Sequence, residues 1–191
     1  MTTSRLEAFS DGVFAIIITI MVLELKVPEG PHFSDLQPLI PKFLSYLLSF
    51  IYLGIYCNNH HHIFQAIEKV NGGVLWANLG LLFVLSLIPF TTAWMGENHF
   101  EKETVFLYGL NLLISALMFF ILENASLKHE GESSKIHAAL GNRTKEYFSI
   151  FIYILSEICA FYYPLLSTIG FALVALIWFV PDKRIENLLK S

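Results

Sequence analysis

Charged residues punctuate this chain at wide intervals, and the stretches between them set its architecture. Residues 43–67, 70–96 and 104–122 contain no Asp, Glu, Lys or Arg, and each is long enough for a helix that crosses a bilayer, which takes about 20 mostly apolar residues. Residues 147–181 form a longer apolar run of 35 residues interrupted by Glu157. As one helix it would extend roughly 52 Å, against a hydrocarbon core of about 30 Å, so it must fold back on itself. Tyr162-Tyr163-Pro164 is the expected hinge: proline stops a helix and tyrosines suit the headgroup level. The first segment is weaker, because its uncharged run covers only the 12 residues 12–23, between Asp11 and Glu24. It does not read as a cleaved leader, since Asp11 stands where a basic region belongs and no small-residue cleavage site precedes Pro28. A helix from Arg5 to Lys26, with Asp11 held away from lipid, spans. The pattern predicts an all-α, polytopic membrane protein, one domain over residues 1–191, with six transmembrane helices near 5–26, 39–65, 71–96, 102–126, 145–162 and 164–181.

Charge asymmetry supports an even number of spans. With six, Arg5, Lys69, Lys128, Lys135, Arg143, Lys145, Lys183, Arg184 and Lys190 gather on one side, and Lys26, Lys42 and Lys102 on the other. Basic residues mark the cytoplasmic side, so both termini are expected there. A five-helix chain would send the last three basic residues outside. Residues 126–146 form the long polar connection. On the opposite side Glu24, Glu29, Asp35, Glu97, Glu101 and Glu103 outnumber the lysines and could concentrate cations at a mouth, or could be solvated loop charges; Glu24 stands apart because it ends the first helix.

Composition narrows the function classes. The chain of 191 residues is 55% hydrophobic and 15% charged, where soluble domains carry about 25% charged residues; mean hydropathy is +0.59. A net charge of −4 leaves no basic excess for nucleic acid. Cys57 and Cys159 both lie in apolar stretches and read as small core residues. His60, His61 and His62 are consecutive, so a helix points them about 100° apart and they do not share one metal. No metal or other cofactor is expected. G-x-S-x-G, H-E-x-x-H and phosphate-loop motifs are absent, so no enzyme is indicated.

The first helix carries the chemistry. At 100° per residue, Arg5, Phe9, Ile20 and Leu23 fall within about 40° of Ile16, with Gly12 and Thr19 beside them at about −40° and −60°. Such a stripe is either core packing or a lining. Ser10 and Asp11 point elsewhere, at about 120° and −140°. An ionised carboxylate in a span costs at least about 2.5 to 3.5 kcal/mol on insertion scales unless paired. Asp11 therefore either caps the helix near the headgroups or meets a partner: Arg5 of a neighbouring subunit, the Asn58-to-His62 cluster, Trp76 or Asn78. His60 or His61 is the histidine placed to bond Asp11 or Ser10. Glu123 and Glu157, near helix ends, are expected to reach water or a loop lysine such as Lys128.

The run Arg5-Leu6-Glu7-Ala8-Phe9-Ser10-Asp11, continuing through Ile16 and Thr19 to Leu23-Glu24, resembles the R-x-x-x-F-S-D signature of the transmembrane protein 175 family of potassium channels. The histidine cluster, Trp76-Ala77-Asn78-Leu79, Ser86-Leu87-Ile88-Pro89-Phe90 and Tyr108-Gly109-Leu110-Asn111 extend the likeness over roughly the first 125 residues; beyond them only the hydropathy pattern agrees. A single-repeat, six-helix chain is similar to the prokaryotic members. The resemblance implies a homotetramer in a bacterial plasma membrane whose first helices line a central pore for monovalent cations. It implies a potassium-selective, passive channel with a constriction of Ile16, Ile20 and Leu23, and Thr19 as a polar pore residue. Arg5, Phe9, Ser10, Asp11, His60, His61, Trp76 and Asn78 then belong to the motif and its structural polar network, with permeating potassium the associated metal. The chain has no T-V-G-Y-G filter. The competing function is a proton-coupled secondary transporter that uses Asp11 and the second-helix histidines, though the internal repeats and broken midplane helices common in transporters are not evident.

Overall fold

The computed structural model describes residues 2–67, 70–130 and 143–179, and among them every regular element is helical. Helix α1 runs Thr3–Leu23, a 3-10 helix covers Phe33–Leu39, and α2 follows over Ile40–Ala66. Next come α3 (Gly72–Leu85), α4 (Ile88–Glu97), α5 (Lys102–Glu130), α6 (Thr144–Ala160) and α7 (Pro164–Phe179). Four segments, Thr3–Leu23, Phe33–Ala66, Gly72–Glu97 and Lys102–Lys128, are long and apolar enough to cross a bilayer. The last two helices are shorter, at 17 and 16 residues.

Several boundaries differ from those read in the sequence. α1 stops at Leu23, three residues early, where the helical ladder gives way to turn bonds, Leu25 N donating to Val22 O at 3.2 Å and Lys26 N to Glu24 O at 3.0 Å. The stretch expected as one helix over 71–96 is broken between Leu85 and Ile88. Pro89 has no N–H to donate one turn back, and Ser86 and Leu87 close α3 by donating to Leu82 O at 2.9 Å and Val84 O at 3.1 Å. α5 continues to Glu130, past the expected end near 126, so the polar connection starts later. Residues 131–142 of that connection, Lys69, Lys135, Lys183, Arg184 and Lys190 lie outside the described residues. The long apolar run folds back between Ala160 and Pro164, where Tyr163 N donates to Cys159 O at 2.7 Å.

α6 and α7 form a hairpin against α5, α3 packs along α5, α2 along α4, and α1 lies on α2, α3 and α4. Leu53, Leu81, Leu85, Ile88, Tyr108, Leu112 and Phe171 are fully buried at these contacts. Lipid tails are as apolar as leucine, so close packing and interhelical hydrogen bonds must hold such a bundle together. Ser49 Oγ lies 2.7 Å from Thr92 Oγ1 and 3.0 Å from Tyr108 Oη, tying α2 to α4 and α5, and Tyr52 Oη donates to Phe171 O at 2.6 Å. Lys42 Nζ donates to Glu97 Oε1 at 3.0 Å where α2 begins and α4 ends.

Beside that ion pair, a Cβ added at Gly96 would come within 2.8 Å of Lys42 Cα and 2.5 Å of Ser45 Oγ. Backbone cannot yield as a side-chain tip can, so Gly96→Ala is expected to push α4 off α2 and cost about 1–3 kcal/mol. The check is the midpoint of thermal unfolding in detergent. An unchanged midpoint would mean that the two helices do not approach this closely.

Glu157 corrects an expectation. It is buried, and neither of its carboxyl oxygens has a hydrogen-bond partner. It faces α5, where Gly109 leaves room for it beside Phe171. Among the described residues no lysine pairs with it.

Candidate functional site

α1 has two apolar faces. Leu6, Ser10, Phe14, Ile17 and Met21 recur every three or four residues and are buried, forming the stripe that packs on α2, α3 and α4. Ile16, Ile20 and Leu23 stand on the other side, 61%, 44% and 74% exposed. Phe9, half exposed, and exposed Arg5 and Thr19 share that side. Thr19 Oγ1 donates to its own helix at Ala15 O, 2.7 Å away, which leaves its oxygen lone pairs facing outward. An open groove runs beside this stripe, lined by Val13, Ile16 and Ile20 from α1, Phe90, Trp94 and Glu97 from α4, and Glu24.

The buried side of α1 is registered by a chain of hydrogen bonds. Asn78 Oδ1 lies 2.7 Å from His60 Nε2, and a carbonyl oxygen only accepts, so His60 donates from Nε2. Asn78 Nδ2 donates to Ser10 Oγ at 3.0 Å, and Ser10 Oγ donates to Leu6 O at 2.9 Å. Every member is fully or almost fully buried, and each uses its donor once in the same direction. The chain joins α2, α3 and α1. Phe14 meets the His60 ring edge-on, with centroids 5.7 Å apart, and Phe64 packs against it in a tilted arrangement at 4.5 Å.

A second tie lies at the surface. His61 Nδ1 is 2.5 Å from Glu7 Oε1, and Gln65 Nε2 donates to His61 Nε2 at 2.7 Å, so the histidine presents its N–H to the carboxylate. Neither histidine bonds Asp11. Asn78 stands between His60 and Ser10, and His61 turns to Glu7. Asp11 is exposed and makes no side-chain hydrogen bond among the described residues, while Trp76 projects from α3 into open space.

Of the residues singled out in the sequence, the fold brings Ser10, Asn78 and His60 together, sets His61 beside them, and leaves Arg5, Phe9, Asp11 and Trp76 on the surface of the single chain. Sequence reasoning missed Glu7 and Phe14. Both sit three or four residues from Ser10 on its side of the helix, and that spacing was the available signal. At the opposite end, two acids of the expected mouth are paired, Glu97 with Lys42 and Glu103 with Lys102 at 3.6 Å. Among the described residues no group of three metal-ligating side chains converges.

Apolar helices of this length, with an outward apolar stripe and polar groups turned inward as interhelical ties, define a polytopic α-helical membrane protein. Residues 5–89 match the family model described as endosomal/lysosomal potassium channel TMEM175. A protein named as a potassium channel from Chryseobacterium sp. strain P1-3 is 57% identical over 191 residues, the whole of both chains. Another from Chamaesiphon minutus is 32% identical over 93% of each chain. The fold is similar to a crystal structure described as a lysosomal potassium-selective channel TMEM175 homolog from that organism, with a TM-score of 0.81 and 28% identity, covering 94% of this chain and 97% of the other. The chain belongs to the TMEM175 family of ion channels, and the likeness reaches well past the first 125 residues.

Proposed function

We propose that four copies of this chain assemble around a central axis with their α1 helices lining a passive, potassium-selective pore. One observation carries the proposal: Ile16, Ile20 and Leu23 form an exposed apolar stripe about 110° around the helix from the stripe that packs α1 into its own subunit. Lipid would accept such a face, but it shares that side of the helix with Arg5, Thr19 and Glu24, which lipid would not. Around an axis the same residues become successive layers. Isoleucine rings make a constriction that strips water from an ion or dewets, Thr19 hydroxyl oxygens offer replacement dipoles, and Glu24 stands at the external end. The groove between α1 and α4 then receives the neighbouring subunit. Asp11 and Trp76 meet that neighbour as well, because the histidines and Asn78 of their own chain are already engaged; Arg5 of the adjacent subunit is the matching charge.

The protein is placed in the bacterial plasma membrane with both termini cytoplasmic, on the strength of nine basic residues against three. Potassium is the permeating species, and the pore works without a resident cofactor. The relay of a proton-coupled transporter is not favoured, since His60 is directed to Asn78 and His61 to Glu7.

The test is reconstitution in proteoliposomes with a potassium gradient and no proton gradient. A channel is expected to release potassium at once and to pass less sodium. Flux that appears only when a proton gradient is imposed would reject passive conduction in favour of coupled transport.

A further inference from the structure

Away from α1, a small, partly open cavity lies between α2, α5, α6 and α7. Its walls come from Tyr52, Tyr56 and Asn59 on α2, at helical spacing, and from Ala116, Phe119 and Glu123 on one face of α5. Glu146 in the first turn of α6 and Trp178 near the end of α7 complete it. The cavity runs from mid-helix, at Tyr52 and Ala116, towards the end of the bundle that carries the α2–α3 connection, where Glu146 and Trp178 lie. It has room for about 50 Å³ of water-sized groups, roughly three waters.

The walls are apolar and largely aromatic, yet Glu123, 97% shielded from solvent at 3% exposure, lines them, and its Oε2 has no hydrogen-bond partner. A buried acceptor without a partner is costly, and its presence in an otherwise largely apolar site calls for a donor. Arg143 does not supply it: its Nη1 donates to Asn124 Oδ1 at 2.8 Å and its guanidinium lies 4.6 Å over the Phe120 ring. An anion would meet two carboxyl groups. A neutral apolar guest would leave Glu123 as it is. A carboxylate among aromatic faces fits an ammonium group, which donates to the oxygen and is attracted by the rings.

We propose that this cavity binds the ammonium group of an amphiphile, with Glu123 as its acceptor and the aromatic walls around its first carbons. The volume admits the charged head and excludes the tail. The ammonium can arrive on an aminophospholipid of the surrounding bilayer or on a free alkylamine. Arg143 and Lys145 stand against the Phe120 and Trp178 rings, where the phosphate of an aminophospholipid would meet them.

The experiment titrates the purified full-length protein in detergent with hexylamine, protonated at neutral pH, and with hexanol as the uncharged analogue, by calorimetry against protein-free micelles. Saturable binding of hexylammonium, absent for hexanol and weakened at least tenfold in Glu123→Gln and in the cavity-filling Ala116→Leu, is expected. Size-exclusion profiles check that the variants fold; if Glu123→Gln does not, Ala116→Leu and the amine-to-alcohol comparison still decide. Equal binding of hexanol, no saturable binding of hexylamine, or undiminished binding by both variants would overturn the proposal. Vesicles of phosphatidylethanolamine or phosphatidylglycerol separate the sources. Glu123-dependent retention of phosphatidylethanolamine in native mass spectra assigns the bilayer, and hexylammonium binding without it assigns the free amine.

Discussion

Replacing Ile16 and Ile20 together by alanine is expected to raise cation flux by at least tenfold and to lower the preference for potassium over sodium. In the proposed tetramer each substitution acts four times, so both isoleucine layers lose most of their bulk at once. A wider layer lets an ion pass with more of its water, and the barrier that discriminates between cations by dehydration falls. A fall of about 1.4 kcal/mol already gives the tenfold change. The fold should tolerate it, because both side chains project away from the packed stripe of α1 and remove nothing from the subunit core. Potassium and sodium flux measured in parallel on the same proteoliposomes, with the tetramer verified by mass, would check it. Unchanged flux and unchanged ratio in an intact assembly would remove these side chains from the conduction path.

The second large effect is expected on stability, from Asn78→Leu. The substitution keeps most of the volume but leaves His60 Nε2–H without its acceptor and Ser10 Oγ without the donor it now receives. Stranding buried polar groups costs about 1–3 kcal/mol each in water-soluble proteins. Interhelical hydrogen bonds in membranes average nearer 0.6 kcal/mol, because the unfolded chain finds other partners there. The two stranded groups together set an expected loss of about 1–3 kcal/mol, with a lowered midpoint in detergent unfolding. Ser10→Ala in the same background should then cost little more, since its partner is already gone. Additive losses would show that Ser10 and Asn78 do not act as one unit.

The spans were legible because charge is expensive in a bilayer, so the charges mark where helices end. The break at Ser86-Leu87 was harder to see, since Pro89 can ride inside an apolar helix when neighbours accommodate it; here the chain opens instead. Residue types in the polar cluster were legible too, because Ser10, Asn78 and His60 are scarce polar groups at one depth. Their connectivity was not. Nothing in the spacing told that Asn78 would take the middle place, or that Glu7 rather than Asp11 would meet His61. Glu157 shows the same limit: its burial depends on Gly109 lying opposite, which only packing reveals.

The directional bonds that hold α1 are unevenly distributed. Interhelical hydrogen bonds grip it at Glu7 and Ser10, while from Phe14 onward Ile17 and Met21 hold it by apolar contact. Apolar contact is nearly indifferent to angle. α1 is thus built like a torsion bar clamped at one end, stiff where the polar chain grips it and compliant towards Leu23. A twist applied near Glu24 would be absorbed along the stretch that carries Ile16, Ile20 and Leu23, without breaking a single bond at the clamp.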